Sequence, residues 1–201
     1  MIEDYGIMQC IVRRDVKDLC FRICHMYMNQ KNKLLSLFFS LYSLHFSHTS
    51  NKTFLEAINK RLSMLGTDFD ECKLLVELYL ILYNGHSKYQ EPYKAKKSSH
   101  TIDDFRVLIM DDANISICKD ICSSYLKNGK QSQVKFSKMP EQYQQDYIWQ
   151  VWLELMKITY DIGQDIHQYC RLQFDIYTIK YNRKAAKDRV NIMYTIIDKI
   201  S

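Results

Sequence analysis

The sequence predicts an all-α protein, a helical bundle or short stack of helical hairpins with a long C-terminal helix. Only 5 glycines and 2 prolines occur in 201 residues, too few turn residues for a fold of many short strands. Apolar residues recur at helical spacing, most clearly in Pro140–Tyr181. A hydrophobic fraction of 47% and a charged fraction of 25% are typical of a globular chain and not of a disordered one.

The first predicted helices follow an ambiguous N-terminal dozen residues. Asp15 is placed to cap a helix, with Asp18 three residues later. The predicted apolar face of that helix consists of Val16, Leu19, Cys20, Ile23, Cys24, Met26 and Tyr27. We expect the polar run at 29–33 to end it and Leu34–His48 to form a separate, almost wholly apolar helix.

A helical hairpin is predicted next. Thr53 and Glu56 resemble a capping box, and Gly66 is placed to end that helix. Asp68 is expected to cap the second helix, which Gly85 closes. The short connection favours two antiparallel neighbours.

The longest polar stretch, residues 86–100, separates two predicted subdomains at 1–85 and 101–201. It is interpreted as a hinge or a surface loop, and a single domain is the alternative. After it, Thr101 or Asp103 is expected to open a short helix, although a strand at 107–109 is possible. Another helix is expected to begin after Asp111 or Asp112 and to end at 128–129.

The long C-terminal stretch begins at Pro140, which suits a first helical turn. As one continuous helix, Pro140–Tyr181 would measure about 60 Å. Gly163 and Asn182 are candidate breaks, so that length is an upper bound. A last helix is expected over 183–200.

Cysteine usage predicts a reducing compartment, the cytoplasm or the nucleus. The chain has 7 cysteines, an odd number, and its first residues lack the pattern of a secretory signal. The most apolar run, Leu34–Phe46, is too short to span a bilayer, so we expect no membrane span. Abundant Lys, Asn, Ile and Tyr suit an AT-rich coding sequence, such as that of a virus or a protist.

No motif specifies chemistry. The chain lacks the glycine patterns of phosphate-binding loops and the G-x-S-x-G of hydrolases, so we expect neither an enzyme nor a cofactor. Two i, i+4 thiol pairs could together form a zinc site: Cys20, Cys24, Cys118 and Cys122. All four lie on apolar helix faces, so burial as free thiols is the favoured interpretation and no metal is expected.

Acidic residues leave open a metal-dependent, all-helical hydrolase as a second alternative. Glu154, Asp161 and Asp165 share a helix face near His167. Such enzymes need a second carboxylate-bearing helix, which the sequence does not indicate. Paired aspartates at 103–104 and 111–112 are better explained as helix caps.

The leading functional prediction is a non-enzymatic scaffold or interaction subunit of a larger assembly. Aromatic residues dominate binding hot spots, and 13% of the chain is aromatic. The candidate anchors all lie in the long C-terminal stretch: Trp149, Trp152, Tyr169 and Tyr177. The partner would be another protein or a second copy of this chain.

The alternative is a helical nucleic-acid-binding accessory protein. Its densest basic cluster is Lys180, Arg183, Lys184, Lys187 and Arg189, and a second run is Lys94, Lys96 and Lys97. Cations contact phosphates, and interleaved aromatics such as Tyr181 can stack on bases. A net charge of +5 is too small to demand such a partner, and an acidic protein would fit the same cluster. Binding that does not weaken with salt would count against this function.

Overall fold

A computed structural model of the chain describes residues 2–66, 70–127, 148–179 and 186–200. These residues contain nine α-helices, one π-helical turn and one 3-10 turn but no strand, which confirms the all-α prediction. The helices are α1 (Ile2–Arg13), α2 (Val16–Leu41), α3 (Lys52–Met64), α4 (Glu71–Asn84), α5 (Ile102–Leu108), α6 (Ile115–Lys127), α7 (Ile148–Ile162), α8 (Gln164–Ile179) and α9 (Ala186–Ile200). Within the described ranges, no helix is long and apolar enough to cross a membrane.

The chain divides into two compact units. The first comprises Met1–Glu91 with Leu172–Arg189, and the second comprises Pro92–Arg171 with Val190–Ser201. One boundary falls inside the polar stretch at 86–100, and the other two fall within α8 and α9.

In the first unit, α2 is the central element and packs on α1 and α4, while α3 packs on α4. Its core contains buried side chains from every one of these helices, including Ile7, Leu19, Ile23, Leu34, Phe38, Leu55, Ile58, Leu78, Tyr79 and Leu82. A polar contact crosses this core, because the Tyr42 hydroxyl donates to Gln173 Oε1 at 2.7 Å. Both side chains are completely buried, so this hydrogen bond satisfies groups that water does not reach.

The predicted interruption at 29–33 is confirmed, because Gln30 has non-helical backbone angles and divides α2 into two helical segments. A kink at Gln30, with φ −148° and ψ 42°, marks the polar run. Beyond the kink, the buried Tyr79 hydroxyl of α4 donates to the Leu34 carbonyl at 2.8 Å. The apolar segment that begins at Leu34 belongs to the second of these segments, and a π-helical turn, Tyr42–Phe46, follows it directly.

Residues 86–91 lie against this π-helical turn. The Lys88 N–H donates to the His45 carbonyl at 2.7 Å, and the Gln90 N–H donates to the Leu44 carbonyl at 2.9 Å. Tyr89, between the two donors, places its ring 5.3 Å from the His45 ring. The segment thus satisfies carbonyls that a helix end leaves without partners, and this part of the polar stretch is an attached loop.

The predicted caps are right in part. Asp15 caps α2 by accepting from the Asp18 N–H at 3.0 Å, as predicted. For α3 the cap is Asn51, which accepts from the Phe54 N–H, and not the box at Thr53. For α4 the cap is Asp70, while the predicted Asp68 lies outside the described residues.

In the second unit, Thr101 forms a capping box with Asp104 and opens α5, so 107–109 is not a strand. Asp111 caps the following 3-10 turn. The core of this unit is formed by α5, α6, α7 and α9, with Phe105, Cys118, Ile121, Cys122, Val151, Trp152, Leu155, Met193 and Ile196 among its buried side chains.

Gly163 alone separates α7 from α8, so the continuous long helix is not observed and the predicted break at Gly163 is confirmed. The helical ladder nevertheless runs through it, since its N–H donates to Thr159 and its carbonyl accepts from His167, both at 3.1 Å. A Cβ added there would meet no atom within 4 Å. The predicted start at Pro140 and break at Asn182 lie outside the described residues.

We expect Gly163→Ala to stabilise the protein by about 0.4–1 kcal/mol, because alanine restricts the unfolded chain and favours the helix. Gly66→Ala should do the opposite and cost about 1 kcal/mol, because Gly66 ends α3 with φ 86°. Chemical denaturation of both variants, followed by circular dichroism, measures the two shifts. Equal destabilisation by both substitutions would contradict the open surroundings of Gly163.

Candidate protein-interaction surface

The α1–α2 hairpin of the first unit carries the candidate site. Its turn is held by Arg14, a non-glycine residue with φ 58°, and by the Asp15 N–H, which donates to the Cys10 carbonyl at 2.9 Å. The Arg14 guanidinium donates to the Tyr83 carbonyl and lies 5.2 Å from the centre of that ring. In return, the Tyr83 hydroxyl donates to the Arg14 carbonyl at 2.9 Å. These contacts attach the hairpin turn to the end of α4.

Large apolar side chains on this hairpin face solvent. Phe21 is 68% exposed and Met28 is 81% exposed. They are seven residues apart on α2, so they lie on nearly the same side of the helix and about 10 Å apart along its axis. We call this pair the apolar face of α2. Val12 and Val16, beside the hairpin turn, are also exposed.

A groove of about 290 Å³ opens beside Phe21. It is lined by Ile7, Asp18, Phe21, Arg22, His25 and Met26. Ile7 and Met26 are buried and form an apolar floor. The Phe21 and His25 rings stack with centroids 6.2 Å apart, so the exposed aromatic side chain has a fixed neighbour.

The polar groups of the groove are bonded to one another. The Arg22 guanidinium donates to Asp18 Oδ2 at 2.8 Å, and the Cys10 thiol donates to the same oxygen at 3.1 Å. These two hydrogen bonds hold the pKa of the Asp18 carboxyl below its usual value, and the bond from Arg22 has the larger effect. Burial and the neighbouring Asp18 raise the pKa of the Cys10 thiol, which therefore stays protonated and is a poor nucleophile.

Cations outnumber carboxylates on the hairpin, and most of them lie near its turn. Within residues 6–28 the charged side chains are four cations and two carboxylates: Arg13, Arg14, Lys17, Arg22, Asp15 and Asp18. Lys17, one turn before Phe21, and Arg13 are exposed. Among the described side chains, neither of these two cations forms a salt bridge.

Two of the four predicted aromatic anchors are buried. Trp152 is completely buried in the second unit, and Tyr169 is buried there with the Lys199 ammonium 4.7 Å from its ring centre. Trp149 lies on α7 and Tyr177 on α8, but their side chains lie outside the described residues. Their roles as partner anchors stay predictions, and the burial of Trp152 and Tyr169 gives those two no support.

The basic residues are only partly described. Lys94, Lys96 and Lys97 are exposed on a segment of the second unit that is attached to α6. The Lys96 N–H donates to Asp120 Oδ1 at 2.8 Å, and the Ser98 N–H donates to Ser124 Oγ at 3.1 Å. In the C-terminal cluster, Lys180, Arg183 and Lys184 lie outside the described residues, as do the side chains of Lys187 and Arg189 on α9. Nucleic-acid binding stays a prediction.

The cysteine pairs predicted as low-probability metal ligands lie in separate units. Cys20 is half-buried and Cys24 exposed on α2, whereas Cys118 and Cys122 are buried on α6. Burial raises the pKa of the Cys118 thiol to about 11, and it also raises the pKa of the Cys122 thiol. The described residues contain no group of three or more His, Cys, Asp or Glu side chains that could hold a metal ion.

The structure also describes the carboxylates that the hydrolase alternative would use. Glu154 is paired with Lys157 at 2.5 Å and with Arg106 at 3.9 Å. Asp161 and Asp165 are exposed, and His167 Nδ1 lies 3.1 Å from the Met156 carbonyl. Glu154 therefore has two cationic neighbours.

One feature of the sequence indicates this surface. Phe21 and Met28 are large apolar residues outside the predicted buried face of α2. In an amphipathic helix such residues either contact another element or remain exposed, and periodicity alone does not distinguish these outcomes. No protein-family model, curated protein or solved structure matches the chain.

Proposed function

We propose that this chain is a non-enzymatic, protein-binding subunit of a larger assembly and that it binds its partner through the apolar face of α2. The observation that carries the proposal is the exposure of Phe21 and Met28 beside a groove with an apolar floor. Exposed apolar area next to polar residues is a common mark of an interaction site. Aromatic and methionine side chains are enriched at such sites.

The chemistry of the surface favours one kind of partner, an amphipathic helix with carboxylates beside its apolar stripe. Phe21 and Met28 are two turns apart, which matches apolar residues at i and i+7 of a docked helix. Arg13 and Lys17 can then pair with flanking Asp or Glu side chains. A second copy of this hairpin would bring like charges together, so an acidic partner is favoured over a homodimer.

The groove supports binding better than catalysis. Asp18 is engaged by Arg22 and Cys10, and the Cys10 thiol has a raised pKa. Neither side chain is poised as a base or a nucleophile. The proposed role of the groove is to accept one apolar side chain of the partner helix.

Site-specific photocrosslinking tests the proposed function. A benzophenone amino acid is introduced at position 28 and, as a matched control, at position 110, because Met28 and Met110 are exposed methionines of separate units. After irradiation in the native cells, we expect a discrete adduct from position 28 only. Mass spectrometry of that adduct should identify a partner segment with apolar residues at helical spacing and acidic flanks.

Two results would reject the proposal. One is an equal yield of adducts at positions 28 and 110, which would indicate nonspecific capture. The other is an adduct at position 28 with a second copy of this chain, which would replace the acidic partner by a homo-oligomer.

A further inference from the structure

Two thiols meet between α2 and α4 in the first unit. Cys24 Sγ and Cys72 Sγ are 3.9 Å apart, although 48 residues separate them in the chain. Cys24 is exposed and Cys72 is half-buried. The helices that carry them, α2 and α4, pack against each other, and a salt bridge between Lys31 and Glu71, 2.5 Å long, joins them next to Cys72. The sulfur–sulfur approach therefore belongs to a packed helix pair.

The other cysteines are in different situations. Cys118, Cys122 and Cys170 are buried, and burial raises the pKa of each thiol. Cys10 donates to Asp18. Cys20 lies one turn before Cys24 on α2 and is half-buried, which makes it the natural control for selectivity.

We infer that Cys24 and Cys72 form a reversible disulfide by exchange with a low-molecular-weight disulfide such as oxidised glutathione. A disulfide requires sulfur atoms about 2.05 Å apart. The observed separation of 3.9 Å must therefore shrink by nearly 2 Å when the bond forms, and we assign this movement to rotation of the two cysteine side chains.

The exchange proceeds in two displacements. The exposed Cys24 thiolate attacks one sulfur of oxidised glutathione, which forms a mixed disulfide and releases one glutathione thiolate. The Cys72 thiol then loses its proton, and its thiolate attacks Cys24 Sγ and releases the second glutathione. The two protein thiols lose two electrons and two protons, and one oxidised glutathione becomes two reduced glutathione molecules.

The surroundings assign the order of the two thiols. Burial and the adjacent Cys24 raise the pKa of the Cys72 thiol to about 11, so little of it is ionised near neutral pH. Exposed Cys24 therefore reacts first. In the mixed disulfide Cys24 no longer has a thiol. It then no longer raises the pKa of the Cys72 thiol.

The bridge would lie within the proposed binding surface. Phe21 precedes Cys24 by three residues and Met28 follows it by four, so the thiol lies between the two exposed side chains on one side of α2. Oxidation would covalently join this part of α2 to α4. Formation of the disulfide itself does not depend on the proposed function.

The experiment uses the full-length purified protein, reduced and then incubated with oxidised and reduced glutathione at several ratios. Remaining thiols are alkylated under denaturing conditions, and peptides are identified by mass spectrometry. We expect loss of two alkylatable thiols, a linked Cys24–Cys72 peptide and full recovery after reduction with dithiothreitol. Cys20→Ser should behave like the wild type, whereas Cys24→Ser should form no such bridge.

Cys72→Ser gives the decisive comparison, because it should accumulate glutathione on Cys24 that the wild-type protein displaces. The inference is overturned if the wild-type protein keeps glutathione on Cys24 as stably as Cys72→Ser does. A bridge from Cys24 to Cys20 or to a second molecule, instead of to Cys72, would also overturn it. Circular dichroism of each reduced variant checks that the substitution leaves the helices folded.

Discussion

Replacing Trp152 by alanine is expected to lower the unfolding free energy by about 3–5 kcal/mol, the usual result of emptying a large buried aromatic site. Trp152 is completely buried, and Val151, Leu155 and Ile158 of the same helix are also in the core of the second unit. Its removal would leave a cavity that these neighbours cannot fill without shifting. Urea denaturation followed by far-ultraviolet circular dichroism measures the loss.

Tyr160→Ala is the matched control, because Tyr160 lies on the same helix and is 72% exposed. It should change the unfolding free energy by less than about 1 kcal/mol. The pair also decides between two roles for Trp152. If Trp152→Ala is as stable as Tyr160→Ala and loses a binding partner, Trp152 is a surface anchor, as the sequence suggested, and its observed burial does not describe the working molecule.

The helical architecture was accessible from the sequence because it rests on local patterns. Few turn residues and a 3.6-residue apolar period are sufficient to predict helices. The caps formed by Asp15 and Asp111 follow from hydrogen bonds between near neighbours. Gly163 was recognisable as a break because glycine is a poor helix former.

Features that depend on distant contacts were not accessible. The polar run at 29–33 correctly indicated a break, since Gln30 has non-helical backbone angles. It did not indicate the hydrogen bond by which Tyr79 reaches Leu34 from 45 residues away. The attachment of residues 86–91 to the π-helical turn likewise depends on pairing across the fold.

The candidate site was missed for a related reason. Periodicity shows which residues share a helix face, but not which face meets a neighbour. Of the residues predicted to form the buried side of α2, Leu19 and Ile23 are buried, whereas Cys24 is exposed. Trp152 illustrates the same ambiguity, since a large aromatic residue suits a core as well as an interface.

Met28→Glu and Phe21→Glu are expected to weaken binding of an acidic amphipathic helix by about tenfold or more each, the effect of losing about 1.4 kcal/mol at a central contact. The probe is a labelled designed peptide of about five helical turns, with leucines at i, i+3, i+4 and i+7 and glutamates beside them. Fluorescence anisotropy measures its affinity. Both substituted side chains are exposed, so the unfolding free energy should stay within about 0.5 kcal/mol of the wild-type value.

Met110→Glu serves as the control for adding a carboxylate at an exposed methionine, because Met110 is 69% exposed on the second unit. It should leave the affinity unchanged. A second peptide with lysines in place of the glutamates tests the charge argument. It should bind more weakly than the acidic peptide, and the difference should shrink as salt screens Arg13 and Lys17.

These comparisons separate the two parts of the binding hypothesis. Equal affinity for the acidic and basic peptides, with a loss caused by Met28→Glu, would retain the apolar face and reject the role of Arg13 and Lys17. Equal loss from Met28→Glu and Met110→Glu would reject the apolar face itself, because a carboxylate placed anywhere would then repel the acidic peptide. Only a loss confined to Phe21 and Met28, together with a preference for the acidic peptide, agrees with an apolar contact that neighbouring cations direct toward an acidic helix.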